Sequence, residues 1–348
     1  MIPSSGPHSL RSPCQADRAC PAKVLVHQEA PVDTDLPAEE ATVHSLPAGH
    51  RLVPDAASLT AAPRPRSLVG KCLGDFEIMA ELGRGGMGIV YKAWQKSLGR
   101  TVALKLLPHE HLHDSMRAAR FLLEARAVAA LKHPNIITVH QLGRCAAGQF
   151  LVFDYVEGPS LEDLTRKGLP PIPWTVTLLI VLAEAIHYAH TQGVLHRDLK
   201  PANILLERCR RPVIIDFGLA KFLHEDSALT QDGTIMGSPS YMAPEQAGQD
   251  LDQVGPASDV YSLGAILYML LTGRAPYDEG SFLSTVLKVV APEMPPSVRR
   301  LEPRVPAALE HICMKCLNKK PADRYPTARA LADDLRRCRT HLARRHGE

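Results

Sequence analysis

The chain has 348 residues, 45% of them apolar and 22% charged, with a net charge of +3. That length and apolar content can bury one large core or two lobes, and no strong basic excess points to a nucleic-acid partner. The eight cysteines are scattered without the tight spacing of a small disulfide-stapled domain, which reads as a reduced, intracellular chain.

Residues 1 to about 70 hold ten of the 29 prolines, no aromatic residue and no sustained periodicity. A disordered arm is expected there. No apolar export signal is read near the N-terminus, so a cytoplasmic location is expected. From Phe76 the texture changes. Phe76 to Met79 and Ile89 to Ala93 read as strands flanking a glycine turn, and Thr101 to Leu107 as a third. Ser115 to Leu131 has helical spacing, and Ile136 to Leu142 and Phe150 to Tyr155 read as two more strands. After Val156 the pattern becomes mainly helical: Leu161 to Arg166, Pro173 to Gln192, Ser258 to Thr272, Ser281 to Val290, Pro306 to Leu317 and Thr327 to His341. Asn203 to Leu206 and Val213 to Ile215 interrupt the helices as short strands. The longest apolar runs, Val176 to Ala185 and Val260 to Leu271, fall short of the roughly 20 residues of a membrane span and read as buried helices. Cys313-Met314-Lys315-Cys316 shares a helical stripe with Leu309, Ile312 and Leu317, so two core-facing cysteines are expected rather than a metal or redox pair. The implied architecture is α+β and bilobal. A small β-rich lobe with one main helix spans 76–156, a larger helical lobe spans 157–338, and a tail covers 339–348.

Several segments carry chemistry. Leu82 precedes Gly83-Arg84-Gly85-Gly86-Met87-Gly88-Ile89-Val90, a glycine-rich turn whose backbone can approach a phosphate without Cβ clashes. It joins strand to strand and lacks a Gly-Lys-Ser/Thr ending, so neither a dinucleotide fold nor a Walker loop fits, and a plain hairpin stays open. Lys105 shares a strand face with Ala103 and Leu107, where its ammonium needs an anion unless it reaches water along an edge. Glu124 has Phe121, Val128 and Leu131 at i−3, i+4 and i+7, so it points inward and needs a cation. Lys105 is the candidate partner. The polar loop His196-Arg197-Asp198-Leu199-Lys200-Pro201-Ala202-Asn203 lies between apolar Gly193 to Leu195 and Ile204 to Leu206, an expected rigid display between two short strands. Asp198 could accept a hydroxyl proton, Lys200 could reach a phosphate, and Asn203 offers an oxygen to magnesium. Asp216-Phe217-Gly218 ends a strand, where a carboxylate can hold a metal.

Taken in order, these parts resemble the eukaryotic-type (Hanks-type) serine/threonine protein kinases: glycine loop, strand Lys, helix Glu, H-R-D…N, D-F-G and then Ala243-Pro244-Glu245. The Gly85-Gly86-Met87-Gly88 tip looks like the bacterial branch. The resemblance covers roughly Phe76 to Arg337. It implies ATP and Mg²⁺ as cofactors and proteins bearing serine or threonine as substrates. The glycine loop would then cover the phosphates, and Lys105 would contact them and pair with Glu124. Asn203 and Asp216 would hold magnesium, and Asp198 would orient and deprotonate the acceptor hydroxyl. Adenine would sit between Val90 and Ala103 above and Leu205 below. Its edge would meet the backbone from Asp154 to Val156, with Phe153 at the back. Lys200, two residues after Asp198, implies a serine/threonine substrate. Ser238 stands where the family often has Thr, which leaves open the choice between serine and threonine.

Two structural pairings are also expected. Glu245 should meet Arg324, and Asp259 should cap the helix that follows it, to which the family resemblance adds bonds to the His196-Arg197 backbone; both can hold. Arg197 would receive a phosphate on the segment Asp216 to Glu245, with Thr230 and Thr234 as leading sites and Ser227 behind them. Two rivals stay open. One is a pseudokinase scaffold without turnover, against which the presence of Lys105, Asp198, Asn203 and Asp216 speaks. The other is a small-molecule phosphotransferase, against which the segment Gly237 to Glu245 speaks, because it resembles the family's protein-substrate platform.

Overall fold

The computed structural model describes residues 67–85, 88–108, 123, 125–145, 148–207, 211–217, 239–248 and 250–345. The expected arm up to residue 66 lies outside the described residues. So do Gly86, Met87, Glu124, Gly218 and the stretch containing Ser227, Thr230, Thr234, Gly237 and Ser238.

Among the described residues, six strands form the first lobe: β1 (Cys72–Leu73), β2 (Phe76–Gly85), β3 (Gly88–Gln95), β4 (Arg100–Pro108), β5 (Val139–Cys145) and β6 (Gly148–Asp154). They make one antiparallel sheet in the order β1-β2-β3-β4-β6-β5. Period-two alternation gives each strand two chemical faces. Ile89, Tyr91, Val102, Leu104, Phe150 and Val152 join Phe76 and Ile78 in a closed apolar cluster on one face. Ala103, Lys105, Leu151 and Phe153 fall on the other, towards the second lobe. Gly88 has φ of +131°, and a Cβ there would stand 2.0 Å from the Leu106 carbonyl oxygen, so only glycine lets β3 leave the turn this close to β4. Residues 125–129 are helical, within the expected helix. The strand expected from Ile136 starts only at Val139. Ile136 instead makes an isolated parallel bridge to Ile214 of the second lobe.

The second lobe contains α1 (Leu161–Arg166), α2 (Ile172–Thr191), β7 (Ile204–Leu206), β8 (Pro212–Ile214), α3 (Pro244–Ala247), α4 (Pro256–Thr272), α5 (Phe282–Val290), α6 (Val298–Leu301), α7 (Ala307–Cys316) and α8 (Ala328–Arg345). The last helix runs beyond the expected end at His341. The stretch Gly193 to Leu195, expected as a strand, is irregular. Its backbone hydrogen bonds go to the end of α2, where Val194 N–H donates to the Ala189 carbonyl. Helices α2 and α4 are apolar nearly all round, which places them at the centre of the lobe. By length and composition α2 is also sufficient to cross a membrane, because its helix extends past the unbroken apolar run. In this fold ten of its residues are buried, and it packs against α4 and α8.

The C-x-x-C motif has a packing explanation. A Cβ at Gly264 of α4 would lie 2.3 Å from the Cys316 Cβ, so α4 and α7 meet almost backbone to backbone. Cys313 and Cys316 are both buried there, and burial pushes both thiols well above the ordinary cysteine range.

Glu245 and Arg324 form the expected pair, bidentate at 2.8 Å for each bond and almost wholly buried. Ser258 Oγ donates to the same carboxylate at 2.7 Å. Burial alone would raise the Glu245 pKa, but the Arg324 and Ser258 bonds outweigh it and hold the carboxyl below its usual value. Asp259 is not a cap: Gly255 is the N-cap of α4, its N–H donating to Ser258 Oγ, and Asp259 lies within the first turn facing inward.

Removing one partner of the Glu245–Arg324 pair leaves a buried charge. Arg324→Ala should therefore cost about 3–5 kcal/mol in urea unfolding. Since the Glu245 carboxyl titrates below its unfolded value, its contribution is complete at neutral pH and is lost as the pH falls from the ordinary glutamate value through the lowered one. Thermal melts of Glu245→Gln should show a weaker acid dependence than the parent.

Candidate active site

The loop from His196 to Asn203 has little regular structure, so side chains fix its backbone. Asp259, 1% exposed, accepts from the His196 N–H and the Arg197 N–H at 2.9 Å each, and from His190 Nε2 at 2.7 Å. Burial would raise the Asp259 pKa, but these donors hold the carboxyl below the usual range. Arg197 takes a left-handed φ of 64°, a strained conformation for a long side chain. Its N–H bond to Asp259 holds it there. His196 is fully buried, and burial lowers its pKa more than the nearby carboxylates raise it. The ring is therefore neutral: Nε2–H donates to the Ile215 carbonyl at 3.0 Å, and Nδ1 accepts from the Asp198 N–H at 3.3 Å. It also packs against the Phe217 ring at 4.6 Å.

This scaffold aims Asp198 into the space between the lobes. Its Oδ2 accepts from Lys200 Nζ at 2.8 Å and from Asn203 Nδ2 at 3.0 Å. Asn203 Nδ2 also donates to the Asp198 carbonyl at 2.8 Å. These bonds orient the amide so that Oδ1 is the end left for a cation. Across the space, Lys105 Nζ lies 2.6 Å from Asp216 Oδ1. Asp216 follows β8 and also has a left-handed φ, 55°. Burial raises its pKa, but Lys105, with Lys200 adding to the effect, holds the carboxyl below its ordinary value, so it is an anion at neutral pH.

These groups line one cavity of about 840 Å³. Leu82, Gly83, Arg84, Gly85, Gly88, Val90, Ala103 and Lys105 contribute from the sheet, and Phe153, Asp154 and Val156 from the connection between lobes. Asp198, Lys200, Asn203, Leu205 and Asp216 contribute from below. Ile89 is a correction: strand alternation turns it into the apolar cluster behind the sheet, where it is 3% exposed, opposite Val90. Gly86, Met87 and Glu124 lie outside the described residues. The structure adds Ile137, Glu162, Asp163, Ala202 and Ile215 to the lining. A signal for one of these, Asp163, was present in the sequence. Ser160-x-x-Asp163 is a capping box, with Asp163 N–H donating to Ser160 Oγ at 3.0 Å, and Ser160 bridges Leu205. Ile137 and Ile215 carried none: Ile137 reaches the cavity through its bond to the Ile214 carbonyl, and Ile215 through its N–H bond to the Asn203 carbonyl.

The cavity suits a polyphosphate and a hard cation. Asn203 and Asp216 offer only oxygen, the donor type magnesium prefers, while Lys105 and Lys200 bring positive charge beside an apolar slot between Val90, Ala103 and Leu205.

Residues 76–335 match the family model described as the protein kinase domain. The chain is 38% identical over 285 residues to the serine/threonine-protein kinase pkn3 of Myxococcus xanthus, covering 78% of this chain and 52% of that protein. It is 36% identical over 271 residues to the serine/threonine-protein kinase PrkC of Bacillus subtilis, covering 77% and 41%. The chain thus spans about half the length of the curated relatives it matches. The crystal structure of the Mycobacterium tuberculosis PknI kinase domain superposes with a TM-score of 0.62 at 29% identity, covering 77% of this chain and 97% of that one. Matched along three quarters of its length and folded as the PknI kinase domain is, this chain belongs to the protein kinase family, in its bacterial eukaryotic-type serine/threonine branch.

Proposed function

We propose that this chain is a serine/threonine protein kinase that transfers the γ-phosphoryl group of ATP, with magnesium, to a hydroxyl of another protein. The observation that carries the reading is the convergence of Lys105, Asp198, Lys200, Asn203 and Asp216 on one cavity. Bound Mg-ATP supplies the phosphoryl group and the charge that offsets its repulsion. Lys105, held by Asp216, would grip the phosphates, while Asn203 and Asp216 would hold the metal. Asp198 would accept a hydrogen bond from the acceptor hydroxyl and take its proton. Lys200, already 2.8 Å from Asp198, would add positive charge where the transferring oxygens gather. Catalysis would be positioning and charge neutralisation more than covalent work. The Lys200 position supports serine or threonine as acceptor. Cytoplasmic action fits a reaction that consumes ATP and a described set of five cysteines that are all free.

We further propose that the chain phosphorylates its own segment between Leu219 and Ser238, at Thr230, Thr234 or Ser227. The support is Arg197, a cation in the sequence beside Asp198.

Labelled ATP with a protein acceptor tests the main reading. Asp198→Asn should lower incorporation by about 10²–10⁴-fold while the melting temperature stays close to that of the parent. Lys105→Met should do likewise, and chelation of magnesium should abolish transfer. Incorporation by the parent no higher than the background shown by Asp198→Asn would make the chain a binding module instead. For self-modification, phosphopeptide mapping after incubation with Mg-ATP should find phosphate between residues 219 and 238. A Thr230→Ala/Thr234→Ala double variant with full activity would end that proposal.

A further inference from the structure

Lys319 is a charged side chain outside the cavity whose contacts the proposed mechanism does not use. It lies in the loop after α7, and its Nζ donates to the carbonyls of Val289 at 2.8 Å and Lys288 at 3.2 Å. Those carbonyls belong to the last turn of α5, where a helix has no N–H left to offer them. A cation there also complements the negative end of the helix dipole. The same ammonium sits 4.3 Å from the centroid of the Tyr277 ring. Tyr277 in turn donates its hydroxyl to the Glu293 carbonyl at 2.7 Å, just past the end of α5.

The backbone of Lys319 faces the other way. Its carbonyl accepts from Arg324 Nη2 at 2.9 Å, and the neighbouring Asn318 carbonyl accepts from Arg324 Nε at 2.7 Å. That guanidinium is the partner of Glu245 in α3. Helix α5 packs against both the 3₁₀ turn Pro239–Tyr241 and α3. One residue therefore ties the two supports of the platform Pro239–Ala247, the buried ion pair beneath it and the helix beside it. Burial lowers the Lys319 pKa to about 8, with Arg324 acting in the same sense and Glu293 opposing. The fold keeps an ammonium here although burial disfavours it.

We propose that Lys319 is a positioning residue for the protein substrate: its ammonium fastens α5 to the platform on which the acceptor lies. The inference rests on the kinase reading above. It acts on acceptor binding and leaves the nucleotide cavity untouched, because neither Lys319 nor α5 lines that cavity.

The test compares the full chain with Lys319→Met, which keeps the apolar stem without the donors, and Lys319→Arg, which keeps a cation. Dephosphorylated casein serves as the acceptor. Lys319→Met should raise the KM for casein about fivefold, with the KM for ATP and kcat within about twofold of the parent. Hydrogen–deuterium exchange should rise in residues 282–291 and not in residues 196–216. Lys319→Arg should restore most of both properties. An unchanged casein KM in Lys319→Met, or equal losses in casein KM, ATP KM and kcat, would overturn the inference. A parent that transfers no phosphate to any acceptor would overturn the kinase reading instead. The exchange experiment needs no activity, and unchanged protection of residues 282–291 in Lys319→Met would remove the fastening itself.

Discussion

One buried carboxylate organises the centre of this molecule. Asp259 collects N–H donors from α2, through His190, and from the backbone at His196 and Arg197. A charge this deep is costly unless every lone pair finds a donor. Here the donors are supplied by the loop that carries Asp198. The loop and the carboxylate therefore need each other: without Asp259 the backbone N–H groups would be buried without partners, and without the loop the charge would be. The positive φ of Arg197 follows from that mutual requirement, and the direction of Asp198 follows from Arg197. The chemistry of the cavity thus begins at a residue that does not line it.

The second constraint is how the lobes are joined. Residues 132–137 belong in sequence to the first lobe, yet their hydrogen bonds go to the second. Ile137 N–H donates to the Ile214 carbonyl, Ile214 N–H to the Asn135 carbonyl, and Asn135 Nδ2 to the Pro212 carbonyl. Tyr188 on α2 accepts from the Lys132 N–H, and Arg211 reaches the Pro134 carbonyl. All of β8 is thereby held from both sides, and Asp216 follows two residues after its end. Lys105 arrives from β4 by a separate route and meets that carboxylate at 2.6 Å. The pair spans the two lobes because each partner is fixed within its own.

Much of this was legible in local patterns. Strand alternation put Lys105 on the cleft face with Ala103, and helical spacing located α1, α2, α4, α5, α7 and α8 within a few residues. The order of short motifs carried the family. What escaped depended on contacts distant in sequence. Ile89 sits in the glycine-rich motif, yet its side chain follows the strand rather than the motif and turns away from the cavity. Asp259 looked like a helix cap because Asp ahead of an apolar helix often is one. The bonds to the His196 and Arg197 N–H groups that the family resemblance implied are present, and the His190 contact is the part that the sequence did not show. Ile136 reads as strand by composition, but its partner is 78 residues away. The cysteine pair was read correctly as core, though its cause, the glycine on α4 that lets α7 come close, is visible only in three dimensions.

The buried charges share one physical role. They sit where the backbone lacks a helix or strand to satisfy it. Arg324, besides meeting Glu245, donates to the carbonyls of Ala257, Asn318 and Lys319. Gln246 donates to the Arg197 carbonyl and accepts from the Ala243 N–H. Asp259 serves two N–H groups, and Lys319 serves two carbonyls. Every buried peptide group needs a partner. Irregular segments meet that need with side chains, and the long charged ones reach furthest and bond most strongly. The apolar helices α2 and α4, with the buried stripe of the amphipathic α8, supply the burial that offsets the desolvation these charges incur. The division of labour is spatial: the apolar core lies among these helices, and the ionic bracing lies along the loops that face the cavity and its platform. A site built on irregular backbone can be rigid only with such bracing, and that is why Asp259, Glu245, Arg324 and Lys319 lie behind the reacting groups rather than among them.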